Sequence, residues 1–377
     1  MEGRPTDHCN LNLAKLHKDV VMGNAYGKVI WQPRIQCWIA DKMHDEGKLP
    51  EPYTGMSKPD IYTELGCSAR IYEYNDSIYR IDHPKVKHYS NKLSDTKTEY
   101  VAETPVGKIS TVQEKTPSTW ATLTKKRLIE DEDDMKVAIW MDQRCEFKWK
   151  EEYFQNTKKE WRDLGSPTLF MPRVNIQHLF ITTMGVENTI YALYDYPETV
   201  DKYFRILDER DEKYIKVINQ SPIDIINFGD NLHGGTLSPD LFKKYVLPAY
   251  QERCELLHKG GKFIHSHWDG DTKTLLPFAK ETGLDGIEAI TPEPQGDVTL
   301  EDMKEGLGDD IYLIDGIAAV LFDETYPLKD LKEQTERLIE LFAPKLILGI
   351  SDEISSTGNL ERIKYIGEIV DEYNASL

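Results

Sequence analysis

The stretch Lys262-Phe-Ile-His-Ser-His-Trp268 decides the fold. It is a short apolar run that carries ionisable residues toward its C-terminal end. Four similar runs occur in the second half of the chain, at Asp224–Asp230, Gly286–Ile290, Ile311–Gly316 and Lys345–Ser351. Short apolar runs of this kind, separated by segments with helical periodicity, predict buried parallel strands that are covered by helices.

The helical segments lie between these runs. The first begins at Ser238, and the others cover roughly Lys273–Thr282, Leu328–Phe342 and Asn359–Tyr373. Such an alternation is typical of either half a barrel or a doubly wound sheet. No GxGxxG or Walker loop follows a strand, which disfavours the nucleotide-binding sheet. We therefore predict an α/β fold, a (β/α)8 TIM barrel, with its active site at the C-terminal ends of the strands.

The first half of the chain has a less regular pattern. Val137–Met141 and Pro167–Met171 are predicted as strands, and Asn188–Asn219 as largely helical. Between about residues 71 and 112, short β-prone pieces alternate with turn residues. This pattern predicts an N-terminal antiparallel β excursion attached to the barrel, so that residues 1–377 form a single domain.

Charge and composition exclude several classes of partner. The 377 residues contain 46 Lys and Arg against 65 Asp and Glu, a formal net charge of −19. So acidic a surface repels nucleic acid and anionic membranes. No apolar run approaches a membrane span, and Met1–Asn10 has no signal-peptide core. The cysteines lack a CxxC spacing and are odd in number, which predicts a cytoplasmic protein without disulfides; they are Cys9, Cys37, Cys67, Cys145 and Cys254.

Ionisable residues follow the predicted strands at their C-terminal ends. His265 and His267 are two apart on one strand and so share a face, with Glu288 and Glu353 at the ends of other strands. Imidazole and carboxylate groups are zinc ligands, and a catalytic zinc has three protein ligands and one open position. We therefore predict a zinc site at these four residues. The alternative is that each histidine is a hydrogen-bonded loop residue.

A second group of polar residues, Asp230, Asn231 and His233, follows the first of these strands. These three are the candidate catalytic residues. Asp230 either orients the substrate or caps the helix that follows.

Several motifs resemble one known family. They are Asn227-Phe-Gly-Asp-Asn231, Leu237-Ser-Pro-Asp-Leu-Phe242, Leu247-Pro-Ala-Tyr250 and Tyr196-Pro-Glu198. Together they resemble the signature of uroporphyrinogen decarboxylase-like barrels over roughly residues 120–375. That superfamily includes the decarboxylase and zinc-dependent methyltransferases that work with corrinoid proteins.

Two features separate the branches of this superfamily. The decarboxylase carries an arginine-rich N-terminal motif, whereas Trp31-Gln-Pro-Arg-Ile-Gln-Cys-Trp38 retains only Arg34. The zinc methyltransferases carry His-x-Cys on one strand, a later Glu and a distal Cys. Here the resemblance places His267 at the thiolate position and Glu288 at the Glu position.

The distal motif, Gly349-Ile-Ser-Asp-Glu353, has no cysteine, so the resemblance implies Glu353, or else Asp352, in its place. His265 is then either a direct ligand or a residue behind the ligands.

The branch that demethylates methyl ethers is the most similar, through Ser266-His-Trp-Asp-Gly270, Ile287-Glu-Ala-Ile-Thr-Pro292 and Glu103-Thr-Pro-Val-Gly107. The resemblance implies a methyltransferase that demethylates a small methylated substrate, a methoxylated aromatic ether above all. The methyl group would pass to the Co(I) corrinoid of a partner protein, with zinc activating the ether oxygen. Three alternatives stay open: a zinc-dependent methylcobalamin:thiol methyltransferase, uroporphyrinogen decarboxylase, and a non-catalytic binding barrel.

Overall fold

Parallel strands alternate with helices from residue 168 onward. The protein is described by a computed structural model that covers residues 12–117 and 119–377. The described strands are β1 (Ile30–Trp31), β2 (Ile78–Ile81), β3 (Lys87–Lys92), β4 (Lys97–Thr104), β5 (Gly107–Lys115), β6 (Thr122–Lys126), β7 (Glu146–Trp149), β8 (Thr168–Met171), β9 (Ile225–Leu232), β10 (Phe263–Trp268), β11 (Gly286–Glu288), β12 (Tyr312–Ala318) and β13 (Leu346–Ser351).

The helices pack mainly on the outside of these strands. The described α-helices are α1 (Leu13–Val21), α2 (Gln36–Glu46), α3 (Lys58–Leu65), α4 (Glu132–Asp142), α5 (Glu151–Trp161), α6 (Asn175–Gln177), α7 (Val186–Asp195), α8 (Pro197–Gln220), α9 (Pro239–Leu241), α10 (Leu247–His258), α11 (Leu300–Leu307), α12 (Leu328–Phe342) and α13 (Leu360–Ala375). Two π-helical turns, His178–Thr183 and Phe242–Val246, and three 3-10 turns, Tyr72–Ser77, Leu276–Glu281 and Ala319–Phe322, complete the described helical segments.

In the described chain, the central sheet has seven parallel strands in the order β1-β13-β12-β11-β10-β9-β8. The last strand, β13, pairs in parallel with the first through Ile30 and Ile347, so β1 and β8 are the two edges of the sheet. The five strands predicted in the second half and the strand predicted at Pro167–Met171 are confirmed. The helical prediction for Asn188–Asn219 is confirmed by α7 and α8. The result is a TIM-barrel-like α/β fold.

Residues 67–71 lie between the two edge strands of this sheet, β1 and β8. The Ser68 backbone N–H donates to the Trp31 carbonyl (2.9 Å), and the Ala69 N–H donates to the Leu164 carbonyl (2.8 Å). The backbone of Gly165 passes so close that a Cβ there would lie 2.0 Å from the Ala69 oxygen. This segment therefore bridges β1 and the chain leading into β8, as an irregular eighth strand would.

The close approach at Gly165 gives a testable stability effect. We expect Gly165→Ala to lower the free energy of unfolding by about 1–3 kcal/mol, because the new methyl group must push the two backbones apart. Gly367→Ala is the matched control, since its Cβ would meet Trp31 at an ordinary 3.5 Å within α13. That change should raise stability by about 0.5–1 kcal/mol. Urea unfolding of both variants measures the difference, and equal effects would contradict the bridging contact.

One end of the barrel is closed by apolar side chains. Ile225, Phe263 and Tyr312 form a buried cluster there with Val20 and Val21 of α1. Along β10 the side chains that follow Phe263 on the same face are His265 and His267. Because the chain runs from this apolar end toward the strand C-termini, the polar site lies at the opposite end of the barrel.

Antiparallel strands occupy the N-terminal half. In the described residues β3, β4, β5 and β6 form a four-stranded antiparallel sheet, and β2 pairs with β7. The range differs from the predicted excursion at 71–112, since the sheet begins at Lys87 and continues to Lys126.

The strand predicted at Val137–Met141 is wrong, because this run lies in α4. Asp131 caps that helix by accepting a hydrogen bond from the Asp134 N–H, at 2.9 Å. Acidic residues in the first turn then favour the helix over a strand. The run is continuously apolar because α4 is buried against both α8 and β5.

No helix in the described ranges combines the length and apolarity needed to cross a membrane. Of the cysteines considered above, Cys37, Cys67, Cys145 and Cys254 are free thiols. Cys9 and the rest of Met1–Asn10 lie outside the described residues.

Candidate functional site

A cavity of about 550 Å³ opens among the C-terminal ends of the barrel strands. This volume lies in the range of small-molecule sites. The wall combines aromatic and apolar side chains with a few polar and charged ones. Its residues are Arg34, Tyr72, Asn75, Phe170, Met171, Pro172, Arg173, His178, Thr182, Gly229, Asn231, His267 and Asp352.

His267 is the buried imidazole in this wall. Its Nδ1 forms a 2.7 Å hydrogen bond with Glu288 Oε1, and its Nε2 lies 3.8 Å from Asp352 Oδ1. Because Nδ1–H donates this hydrogen bond to the Glu288 carboxylate, the free lone pair of the imidazole is on Nε2. The ring is therefore fixed with its ligand atom toward Asp352.

Asp269 completes a cluster with these two residues. His267, Asp269 and Asp352 each offer one ligand atom, and these atoms all lie within 4.8 Å of one another. One imidazole and two carboxylates suit zinc, and a carboxylate behind the histidine is the usual way of orienting such a ligand. The residues present would therefore fit a zinc ion beside the cavity.

Glu288 lies behind His267 in a buried charge cluster. Its Oε2 is 3.0 Å from His265 Nδ1 and 3.0 Å from an Arg70 nitrogen, and Arg70 also contacts Asp315 at 2.9 Å. Only the His267 contact with Glu288 has hydrogen-bond geometry. Burial acts to raise the pKa of Glu288, but Arg70 and the two histidines hold it well below its usual range. Glu288 is therefore an anion that supports His267, and His265 lies on the far side of it.

Glu353 points toward the start of α2. Its Oε2 accepts a 2.9 Å hydrogen bond from the backbone N–H of Cys37, and its Oε1 is 3.6 Å from Arg34. The N-terminal N–H groups of a helix lack partners within the helix, so a carboxylate is favourable there. The neighbouring Asp352 also pairs with Arg34, but it faces His267. In this structure Asp352, the alternative distal ligand, is the one that converges with His267.

Cys37 lies closer to the site than the sequence suggests. It is half-buried on the first turn of α2, next to Glu353. Burial, reinforced by the Glu353 carboxylate, raises the pKa of its thiol to about 12. Cys37 is therefore a neutral thiol here rather than a thiolate.

Asp230 is fully buried beneath the cavity wall. Its Oδ1 accepts a 2.7 Å hydrogen bond from the Val174 N–H, and its Oδ2 accepts one of 2.6 Å from the Tyr250 hydroxyl. Burial raises the pKa of Asp230. The carboxyl group thus holds the segment that follows β8 and is not among the residues that line the cavity.

The other two candidate catalytic residues have different positions. Asn231 lines the cavity and accepts a 3.1 Å hydrogen bond from Arg173. His233 lies in the loop beyond β9, where its Nδ1 accepts from the Gly235 N–H at 2.9 Å. The structure therefore brings Asn231 and His267 to one cavity, with His233 outside its lining.

A second histidine, His178, also lines the cavity. Its Nε2 lies 3.5 Å from the Tyr203 hydroxyl, which donates a 2.9 Å hydrogen bond to Asp142. Burial lowers the pKa of His178 from 6.5 to about 3. The imidazole is therefore neutral at physiological pH.

This shift predicts a pH dependence of stability. At pH values between 3 and 6.5 the unfolded chain binds a proton on His178 that the folded chain does not, so stability is lost as the pH falls through this window. We expect His178→Gln to reduce this loss by about 1.4 kcal/mol per pH unit. Urea unfolding at a series of pH values from about 6 to about 4.5 measures the slope. An unchanged slope would show that His178 titrates normally.

Three residues of the site escaped the sequence-based prediction. Asp269 stands two residues after His267, so the pattern of ionisable residues at this strand end could have identified it. Arg70 belongs to the irregular segment 67–71, which has no strand pattern. Arg173 stands two residues after the end of β8, but its neighbours in sequence carry no ionisable pattern.

Comparison with known proteins adds a family and a fold. The family model of uroporphyrinogen decarboxylase (URO-D) matches residues 178–373, just over half of the chain. A uroporphyrinogen decarboxylase from Koribacter versatilis (strain Ellin345) is 26% identical over 184 residues, which are 48% of this chain and 48% of that protein. The chain thus matches about half the length of this curated relative.

The structure also resembles a methyltransferase from Methanosarcina mazei. The TM-score is 0.56 at 14% sequence identity, and the match covers 94% of this chain and 97% of the other. At this identity the likeness shows a shared fold.

Proposed function

The chain belongs to the uroporphyrinogen decarboxylase family, and from this premise we propose that it is a corrinoid-dependent methyltransferase. Its substrate is a small methyl ether, and its acceptor is the Co(I) corrinoid of a partner protein. One observation carries the proposal: His267, Asp269 and Asp352 converge beside a cavity at the strand ends, with Glu288 fixing the histidine.

The proposed zinc ligands are these three converging residues. Compared with the set expected from sequence, His267 is kept, Asp352 stands in place of Glu353, and Glu288 orients the histidine. When bound, zinc would supply Lewis acidity to the ether oxygen as the C–O bond breaks. Imidazole and carboxylate ligands leave zinc harder than thiolates do, so an oxygen-containing substrate suits it.

In the proposed methyl transfer one cobalt–carbon bond forms and one carbon–oxygen bond breaks. The Co(I) acceptor supplies the electron pair of the new cobalt–carbon bond, and the C–O bond pair stays on the oxygen, which leaves as an alkoxide or phenolate and takes a proton from water. The chain's own residues bind and orient the ether. Asn231 presents a side-chain amide to the cavity, and Asp230 holds the segment that carries Arg173. The tilted pair Tyr72 and Phe170, with ring centroids 5.4 Å apart, supplies an apolar wall.

Decarboxylation is the second candidate function. Arg34 and Arg173 both line the cavity, and arginines are suited to binding the carboxylates of such a substrate. However, Arg34 is already paired with Asp352. A decarboxylase would release CO₂ from its substrate in the absence of both zinc and a corrinoid.

The thiol-methylating alternative has less support at this site. A thiolate-rich ligand set would favour it, yet within the described residues the converging cluster contains no cysteine. Cys37, the neighbouring thiol, is held neutral by burial and by Glu353.

A spectroscopic screen tests the proposal. We expect zinc-loaded protein and cob(I)alamin, or its corrinoid partner, to give a methylated corrinoid from aryl methyl ethers. The rate should rise as the leaving phenol becomes more acidic, because a weaker base leaves carbon more readily. Amines, thiols and methanol serve as comparison donors. Failure with every ether, together with thiol methylation from methylcobalamin, would contradict the proposal.

A further inference from the structure

Arg173 is a cation in the cavity wall without a carboxylate partner. Among the described residues its hydrogen bond of 3.1 Å goes from a terminal guanidinium nitrogen to Asn231 Oδ1, which is a neutral acceptor. Its Nε is buried and has no hydrogen-bond partner. Across residues 12–117 and 119–377, no carboxylate lies within ion-pair distance of this guanidinium.

Four other arginines, buried or half-buried around the barrel interior, are each paired with a carboxylate. Arg34 contacts Asp352, Arg70 contacts Glu288 and Asp315, and both Arg210 and Arg253 contact Asp211. A buried charge without a counterion is costly, and proteins pair such charges wherever they are structural. Arg173, which is half-buried in the cavity wall, departs from this pattern.

The nearest protein carboxyl group cannot serve as the partner. Asp230 acts on Arg173 only through its electrostatic field, and its two oxygens accept hydrogen bonds from Val174 and Tyr250. Burial lowers the pKa of Arg173, as expected for a guanidinium partly withdrawn from water. An anion arriving from the cavity would relieve this cost and would fill the free edge of the guanidinium.

The surroundings of Arg173 restrict what that anion is attached to. Phe170, Met171 and Pro172 precede it in the same wall, and Tyr72 packs against Phe170. Gly229 also lines the cavity, and a Cβ there would lie 2.8 Å from the Phe170 ring. The ring can occupy this position because residue 229 has no side chain. These groups form an apolar, aromatic surface that suits a flat ring beside a planar carboxylate binder.

We propose that Arg173 is a specificity-determining residue that binds a carboxylate on the substrate, which makes the substrate a methoxylated aromatic acid. The carboxylate accepts hydrogen bonds from the guanidinium of Arg173, while the aromatic ring lies against Phe170 and Tyr72. The methoxy part of this inference rests on the proposed function, whereas the carboxylate part rests on Arg173 alone.

A binding measurement tests this without turnover. Calorimetric titration of the full zinc-loaded chain with 4-methoxybenzoate and with methoxybenzene compares an anionic ligand with its neutral counterpart. We expect 4-methoxybenzoate to bind more tightly, and Arg173→Gln to weaken its binding about 10- to 100-fold, the usual worth of a charged hydrogen bond. Methoxybenzene should bind both proteins equally. Arg173→Lys, which keeps the charge but not the fork, should give an intermediate loss even if the glutamine variant folds poorly.

The matched control is Arg337→Gln, which removes a partly exposed arginine of α12 and should leave both affinities unchanged. Undetectable binding of 4-methoxybenzoate, or equal binding to wild type and both Arg173 variants, would overturn the inference. Arg173-dependent binding without methyl transfer from any ether would support it and remove the proposed function. Methyl transfer from methoxybenzene that is as fast as from 4-methoxybenzoate, and unaffected by Arg173→Gln, would support the proposed function and contradict the role of Arg173.

Discussion

His267→Ala is expected to abolish zinc binding and to lower the rate of methyl transfer about a thousand-fold. The imidazole is the only uncharged ligand in the proposed set, and Glu288 holds it in place by a 2.7 Å hydrogen bond. Without Lewis acidity the leaving oxygen must carry its full negative charge, and several kcal/mol of barrier correspond to about this factor. Metal analysis of the purified variant and a stopped-flow assay with cob(I)alamin measure the two effects.

The control for this prediction is His88→Ala, because the His88 side chain is exposed on β3 and forms a hydrogen bond with Asp82, away from the cavity. It should retain one zinc per chain, the usual catalytic stoichiometry, and its full rate. Glu353→Ala should also retain zinc, whereas Asp352→Ala should lose most of it. Full zinc occupancy in the His267 variant would rule out the proposed ligand set.

Arg70→Met is expected to give the largest loss of stability, about 3–5 kcal/mol. Arg70 is buried between Glu288 and Asp315, at 3.0 and 2.9 Å. Its removal leaves two carboxylates of like charge in the barrel interior without their direct ion-pair partner. Urea unfolding at neutral pH measures the loss.

The same prediction has a pH signature. Without Arg70 the pKa values of Glu288 and Asp315 should both rise. Lowering the pH then protonates both groups in the folded variant, so the difference in unfolding free energy between Arg70→Met and the wild type becomes smaller. Arg70→Lys keeps the charge and should cost much less. A gap that stays constant with pH would show that Arg70 acts by packing rather than by charge.

The fold could be predicted where burial leaves a pattern in the sequence. Strands β9 to β13 are short apolar runs between amphipathic helices, because each is buried on both faces. The same rule fails at Val137–Met141, since a helix buried on several sides gives the same apolar run. Residues 67–71 were not predicted because their contacts are made by backbone groups and by Arg70.

The site could be predicted only in part. His267 stood out because a polar residue at the end of an apolar strand faces the barrel opening. The choice between Asp352 and Glu353 depended on which of two neighbouring side chains turns toward His267, and the helix α2 that attracts Glu353 lies far away in sequence. The missing counterion of Arg173 is a property of the folded cavity and has no counterpart in the sequence.

The most direct measurement of the central claim follows a labelled methyl group in a single turnover. An aryl methyl ether such as 4-methoxybenzoate, carrying ¹³C in its methoxy group, is mixed with zinc-loaded protein and one equivalent of cob(I)alamin, and the label is located by NMR. We predict that the ¹³C signal moves from the ether to the cobalt-bound methyl of methylcobalamin, with an equal amount of phenol released, and that His267→Ala prevents both. A label that stays in the ether for every substrate tested, while the protein releases CO₂ from a carboxylated tetrapyrrole, would contradict the claim.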